Sequence, residues 1–129
     1  MHGDEKVLDL EVARRLIPGG AKGVRSLAAL ARTECPERMA EAQEAVRRGE
    51  AKVMFRAVHS LQATFGWFGA QAAADAAGAV AGPARLGDLE SAVAALPALE
   101  TAAGRFVSAL GDLEASLASD GDTEWGSAS

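Results

Sequence analysis

His59 is the side chain in this sequence best suited to nucleophilic chemistry. The other histidine, His2, lies at the N-terminus. An imidazole in water titrates near pH ~6.5, so around neutrality one ring nitrogen keeps a free lone pair. Lys52, Phe55 and Arg56 precede His59, and Gln62, Ala63 and Gly66 follow it. At three- and four-residue steps these positions share one flank of a helix. Helical side chains lean back toward the N-terminus, so Ala63 is the neighbour that would otherwise crowd the ring. With only Ala63 and Gly66 ahead of it, the imidazole is approachable by something as bulky as another protein's active site. Arg56 and Lys52 bring positive charge of the kind a phosphoryl group needs. The plainer reading is that a lone histidine on a helix flank is a polar surface residue. Phe55 reads equally well as a docking aromatic or as the edge of the core. Cys35 falls on a helical seam and reads as a small core residue. No ligand cluster suggests a metal site.

The elements that must position His59 are helices. Ala, Leu, Glu and Arg dominate, β-branched residues are sparse, and Tyr is absent. Asp9 is placed to cap a short helix through Leu16, with Leu8, Val12 and Leu16 as its apolar stripe and Pro18-Gly19-Gly20 as its stop. A second helix is expected from about Lys22 to Arg48, with a seam through Val24, Leu27, Ala31, Cys35, Met39, Ala42 and Val46. That seam keeps phase across Pro36, which favours one kinked helix over two. Gly49 reads as a C-terminal cap. A third helix starts near Ala51, with Met54, Val58, Leu61, Phe65 and Phe68 as its core stripe and a break near Gly66 to Gly69. His59, one residue past Val58, is rotated by about 100° from that stripe. An alanine-rich fourth helix is expected from about Ala70 to Val80, ended by Gly82-Pro83. The last runs from about Gly87 to Leu117, capped by Asp88 and continuous through Pro97. Its seam is Leu86, Leu89, Val93, Leu96, Leu99, Ala103, Phe106, Leu110, Leu113 and Leu117. The fold class is therefore all-α: an antiparallel up-and-down four-helix bundle with a short accessory N-terminal helix. The domain reading is a frayed segment at 1–6, a bundle over 7–118 and a disordered tail over 119–129.

Composition narrows the function classes. The chain has 129 residues and a net charge of −5, which suits one domain without the basic stripe of a nucleic-acid binder. One cysteine excludes an intrachain disulfide. No apolar run is read as reaching the roughly 20 residues that span a bilayer, and the N-terminus lacks signal-peptide order. The expectation is a cytoplasmic protein without a membrane or nucleic-acid partner. There is no GxxxxGK[ST] loop and no Gly-rich ATP lid, so no nucleotide site is expected.

The stretch HSLQATFGWFGA resembles the signature of histidine-containing phosphotransfer domains, in which His is followed by Ser-Leu-Lys-Gly and later by Gly-Ala. His59-Ser60-Leu61 matches it, and Gly69-Ala70 falls at the family's distance. The resemblance covers about residues 7–117. It implies a phosphocarrier of a multistep phosphorelay, not an enzyme with its own nucleotide site. His59 would accept a phosphoryl group from a receiver aspartate and pass it to another receiver. It implies response-regulator receiver domains as partners, with a hybrid histidine kinase as a further candidate. No cofactor is expected on this chain, since the receiver would supply the Mg²⁺. Docking would use the flank formed by Lys52, Phe55, Arg56, Ala63 and Gly66.

Two departures bear on the chemistry. The family's lysine is Gln62 here, and the glycine after it is Ala63. In the family the lysine helps hold the negative phosphoryl group. Gln62 is a candidate hydrogen-bond donor to that group but adds no charge, and a charged donor is worth about 1 kcal/mol more. Arg56 or Lys52 is left to compensate. In the fourth helix Gly78-Ala79 replaces the family's frequent Leu-Glu, which implies weaker packing. The alternatives are a receiver-binding module with little or no transfer, and a purely structural helical bundle.

Overall fold

The computed structural model describes residues 7–120 as five helices: α1 (Leu10–Leu16), α2 (Gly20–Arg48), α3 (Ala51–Trp67), α4 (Gln71–Arg85) and α5 (Leu89–Asp120). No strand occurs among the described residues. α2 packs on α3, α3 on α4, α4 on α5 and α5 back on α2, closing a ring of four, while the main contacts of α1 are with α2 and α3. Links of two or three residues between packed neighbours reverse the chain at each step. The α2–α5 contact runs antiparallel by its own cross-links. Arg32 pairs with Glu114, and further along α2 the Gln43 amide donates to Glu100 at 2.8 Å.

The helix ends follow local chemistry. The Asp9 carboxylate accepts from Glu11 N–H at 3.0 Å and starts α1. Gly49 adopts a left-handed φ of 68° and donates to the carbonyls of Ala45 and Val46, which ends α2. Asp88 accepts from Ser91 N–H at 3.1 Å and starts α5. The helices run on through Pro36 and Pro97, so neither proline divides its seam.

The core is thin. About half of its buried side chains are alanine, interleaved with a few large groups. Phe106 of α5 meets the Phe65 ring edge-to-face at 4.9 Å and the Phe68 ring at 5.8 Å, which ties α5 to the end of α3 across the ring of helices. Met54, Val58, Leu61, Phe65 and Phe68 are all buried, as their spacing requires.

Several expectations need correction. Leu16 is 49% exposed, and Ala13 and Ile17 take the fully buried positions of α1, with Leu8 and Val12 of the expected stripe only partly buried. On α2 Val24, Ala31, Cys35, Met39 and Ala42 of the expected seam are buried, but Ala28 and Ala45 take the places expected of Leu27 and Val46, which are only partly buried. On α5 Ala92 is buried while Val93 is exposed, and Leu86 caps α4 instead of joining the α5 seam and is 84% exposed. In each case alanine wins the central position because closely spaced helices leave room there for a methyl group only. α4 does not end at Gly82-Pro83 but continues to Arg85. A proline that close to a C-terminus breaks one bond, and its carbonyl still accepts from the N–H groups of Leu86 and Asp88. α5 extends to Asp120, so residues 119 and 120, expected in the tail, belong to the helix. Residues 1–6 and 121–129 lie outside the described part of the chain. By length and composition α5 is also apolar enough to cross a membrane, contrary to the run-length reading. Part of that character comes from its bundle face, where Leu96, Leu99, Phe106, Leu110, Leu113 and Leu117 are buried, although only 28% of the apolar window is buried.

Candidate functional site

α3 fixes the candidate site because one side of it is fully committed to the core. Met54, Val58, Leu61 and Phe65 anchor that side. The backbone then has no freedom to rotate, and the opposite flank is held toward solvent. His59 is exposed on that flank, as are Lys52, Arg56, Ala63 and Gly66, whereas Phe55 and Gln62 are half-buried. The seven residues singled out from the sequence thus lie on one continuous surface, running from α3 toward its seam with α4.

Two contacts define the surroundings of the imidazole. The Phe55 ring stacks on the His59 ring, with centroids 5.1 Å apart and planes inclined by 22°. Among the described residues no hydrogen bond or ion pair involves His59, so both ring nitrogens are uncommitted there. Beyond the ring the surface falls away: a Cβ placed on Gly66 would meet nothing within 4 Å. Lys52 and Arg56 likewise carry no ion pair among the described residues, although the chain as a whole is acidic. Contrast Arg47 and Arg48, both bound to Glu44 at the end of α2.

Gln62 turns toward α4. A Cβ placed on Gly78 would sit 3.3 Å from Gln62 Nε2, tighter than most side-chain contacts. The bare backbone of Gly78 therefore makes room for the Gln62 carboxamide, which makes no hydrogen bond among the described residues. Sequence reading assigned Gly78 to packing alone, because nothing in a single chain shows which α4 position faces Gln62. The Phe55–His59 stack was within reach of the sequence, since residues four apart on a helix meet.

Gly69 locks the end of α3. It has φ of 62°, and a Cβ there would fall 2.8 Å from Asp9 Cβ and 2.9 Å from Val12 Cβ. Only glycine allows α1 to lie this close. Asp9 N–H donates to the Phe68 carbonyl at 2.8 Å across the same contact. Away from this face, Cys35 is buried between α2 and α5, and burial pushes its thiol up to about 11. Among the described residues no group of three or more His, Cys, Asp or Glu is gathered as for a metal ion.

Fold and site together define a small helical bundle that carries an exposed imidazole on the flank of one of its core helices. The family model described as the Hpt domain matches residues 26–110, and the chain belongs to that family. The match begins within α2 and ends within α5; it contains His59 and leaves α1 outside. No curated protein and no solved structure matches the chain. Hpt domains are phosphocarrier modules of histidine phosphorelays that work with the receiver domains of response regulators, and they are not nucleotide-binding enzymes.

Proposed function

We propose that this protein is a phosphorelay intermediate that accepts a phosphoryl group on His59 from a receiver aspartate and passes it to a second receiver. The observation that carries the reading is the state of His59: exposed, without a hydrogen bond among the described residues, and bordered by Ala63 and Gly66. In the transfer a ring-nitrogen lone pair forms the P–N bond as the aspartyl O–P bond breaks. The carboxylate leaves with the electron pair, and the second ring nitrogen keeps its proton. The reverse sequence delivers the group onward. The receiver supplies the Mg²⁺ and most of the charge stabilisation. Lys52 and Arg56, unpaired and exposed, attract the phosphorylated face of the partner, while Gln62 Nε2 donates to a phosphoryl oxygen. Phe55, Ala63 and Gly66 form the docking flank, and the setting is cytoplasmic.

Incubation with a phosphorylated receiver tests this. Acid-labile, base-stable label should appear on the wild type and be absent from His59→Gln. Label that persists in His59→Gln would sink the assignment. A second reading is favoured by one observation, the uncharged Gln62: the domain docks receivers but transfers slowly. Then binding would survive while label accumulated at a small fraction of the receiver's own dephosphorylation rate. If His59→Gln altered neither binding nor labelling, the bundle would be structural only.

A further inference from the structure

We propose that Phe55 is a positioning residue for His59: it holds the imidazole in one orientation and covers one of its faces. This rests on the reading of His59 as the phosphoryl acceptor. A histidine on a helix surface ordinarily samples more than one χ1 well, and its χ2 torsion is broad. In many sites a carboxylate or carbonyl holds the second nitrogen, but among the described residues no hydrogen bond orients the His59 ring. The oriented contact the ring makes among them is with Phe55, at 5.1 Å and 22°.

The geometry makes the stack effective. Phe55 is half-buried and packs against the core cluster, so its own ring is anchored on one side. Its free face meets the imidazole face, and both nitrogens lie on the ring edge, which stays open. A near-parallel stack thus fixes the ring plane without occupying the attacking atom. It also keeps water from one face of the ring after phosphorylation. Orienting a nucleophile before attack raises the rate of the bound complex without tightening docking. A docking role for Phe55 would do the opposite, changing affinity and leaving the bound-state rate alone.

The test is single-turnover transfer from a phosphorylated receiver over a range of receiver concentration, with wild type, Phe55→Leu, Phe55→Tyr and His59→Gln. Leucine keeps an apolar side chain on the core but removes the aromatic face, and tyrosine keeps the face. The expected result is a saturating rate for Phe55→Leu lower by about fivefold, with half-saturation unchanged and with Phe55→Tyr close to wild type. Equal saturating rates for Phe55→Leu and wild type, or a Phe55→Tyr rate as low as that of Phe55→Leu, would overturn the proposal. NMR of the His59 ring separates this from the proposed function. The stack predicts ring-current-shifted imidazole protons and a single χ1 in the wild type, both lost in Phe55→Leu. If no variant takes label, the acceptor reading falls, and the positioning proposal then stands or falls on those spectra: unchanged imidazole shifts in Phe55→Leu refute it.

Discussion

Position 62 is where this chain most visibly changes the chemistry of its family. A neutral amide stands where the family places a lysine, and it sits over the bare backbone of Gly78. Restoring the charge with Gln62→Lys should speed transfer by about fivefold, the kinetic equivalent of about 1 kcal/mol gained by a charged over a neutral donor. Rapid-quench transfer assays check this; an unchanged rate would mean that Lys52 and Arg56 already meet the electrostatic need. Cys35 makes the opposite kind of prediction. With its thiol pushed up to about 11 by burial, only about one molecule in a thousand holds a thiolate at pH ~8. Reaction with a thiol reagent should then be slow in the native protein and immediate after denaturation. The sign of the pH dependence follows from linkage. The folded state keeps a proton that the unfolded chain releases above pH 9.0, the ordinary thiol value. This contribution to stability is complete below pH 9.0 and is lost as the pH rises through about 11. Denaturant midpoints of wild type and Cys35→Ala, compared at several pH values, should show the wild type losing ground over that interval.

At the scale of the element, helix ends and helix contacts depend on a few positions. Gly69 combines a positive φ with the closest approach of α1 to the α3–α4 turn. Gly69→Ala should cost about 1–3 kcal/mol from the backbone strain, with the clash against Asp9 and Val12 adding to it. Guanidinium titration measures that loss. Because α1 is packed far more sparsely than the four bundle helices, hydrogen exchange in Leu10–Leu16 should accelerate more than in α5. The N-terminus of α5 responds to acid. The Ser91 side chain and then its backbone N–H hold the Asp88 carboxyl below the usual carboxylate range. A depressed value means stability that is present at neutral pH and lost as the pH falls through the native carboxyl's titration. Between α2 and α5, the Arg32 guanidinium straps the helices by Nη2 donating to Glu114 Oε1 at 3.2 Å. Glu114 Oε2 is buried without a well-aligned donor. It lies 2.7 Å from Arg32 Nε, so that half of the pair is held by charge.

At the scale of the whole molecule, stability is concentrated in a few large side chains, because the remaining core is largely alanine. Phe106 meets both Phe65 and Phe68. Phe106→Ala should therefore cost about 3–5 kcal/mol, a large share of what a domain of this size holds. The urea midpoint would fall accordingly. His59→Gln, on an exposed flank, should shift the midpoint by no more than about 0.5 kcal/mol. The pair of measurements separates a scaffold defect from a site defect, and a large loss in His59→Gln would mean that the imidazole is structural.

The sequence by itself determined the helical class, the five helical segments, the caps at Asp9, Gly49 and Asp88, and the flank that carries His59. These depend on periodicity and capping, which act within a few residues. It placed the α3 core stripe correctly, since those side chains are large and have nowhere else to go. What only the tertiary structure decided is where alanine beats leucine or valine for the interior. Ala13, Ala28, Ala45 and Ala92 are buried, and Leu16 and Val93 are not. That outcome depends on the distance between two helices, which no single helix encodes. The same holds at the site. The exposure of His59 could be read from its own helix. The seat of Gln62 on Gly78 required α4 to arrive beside it.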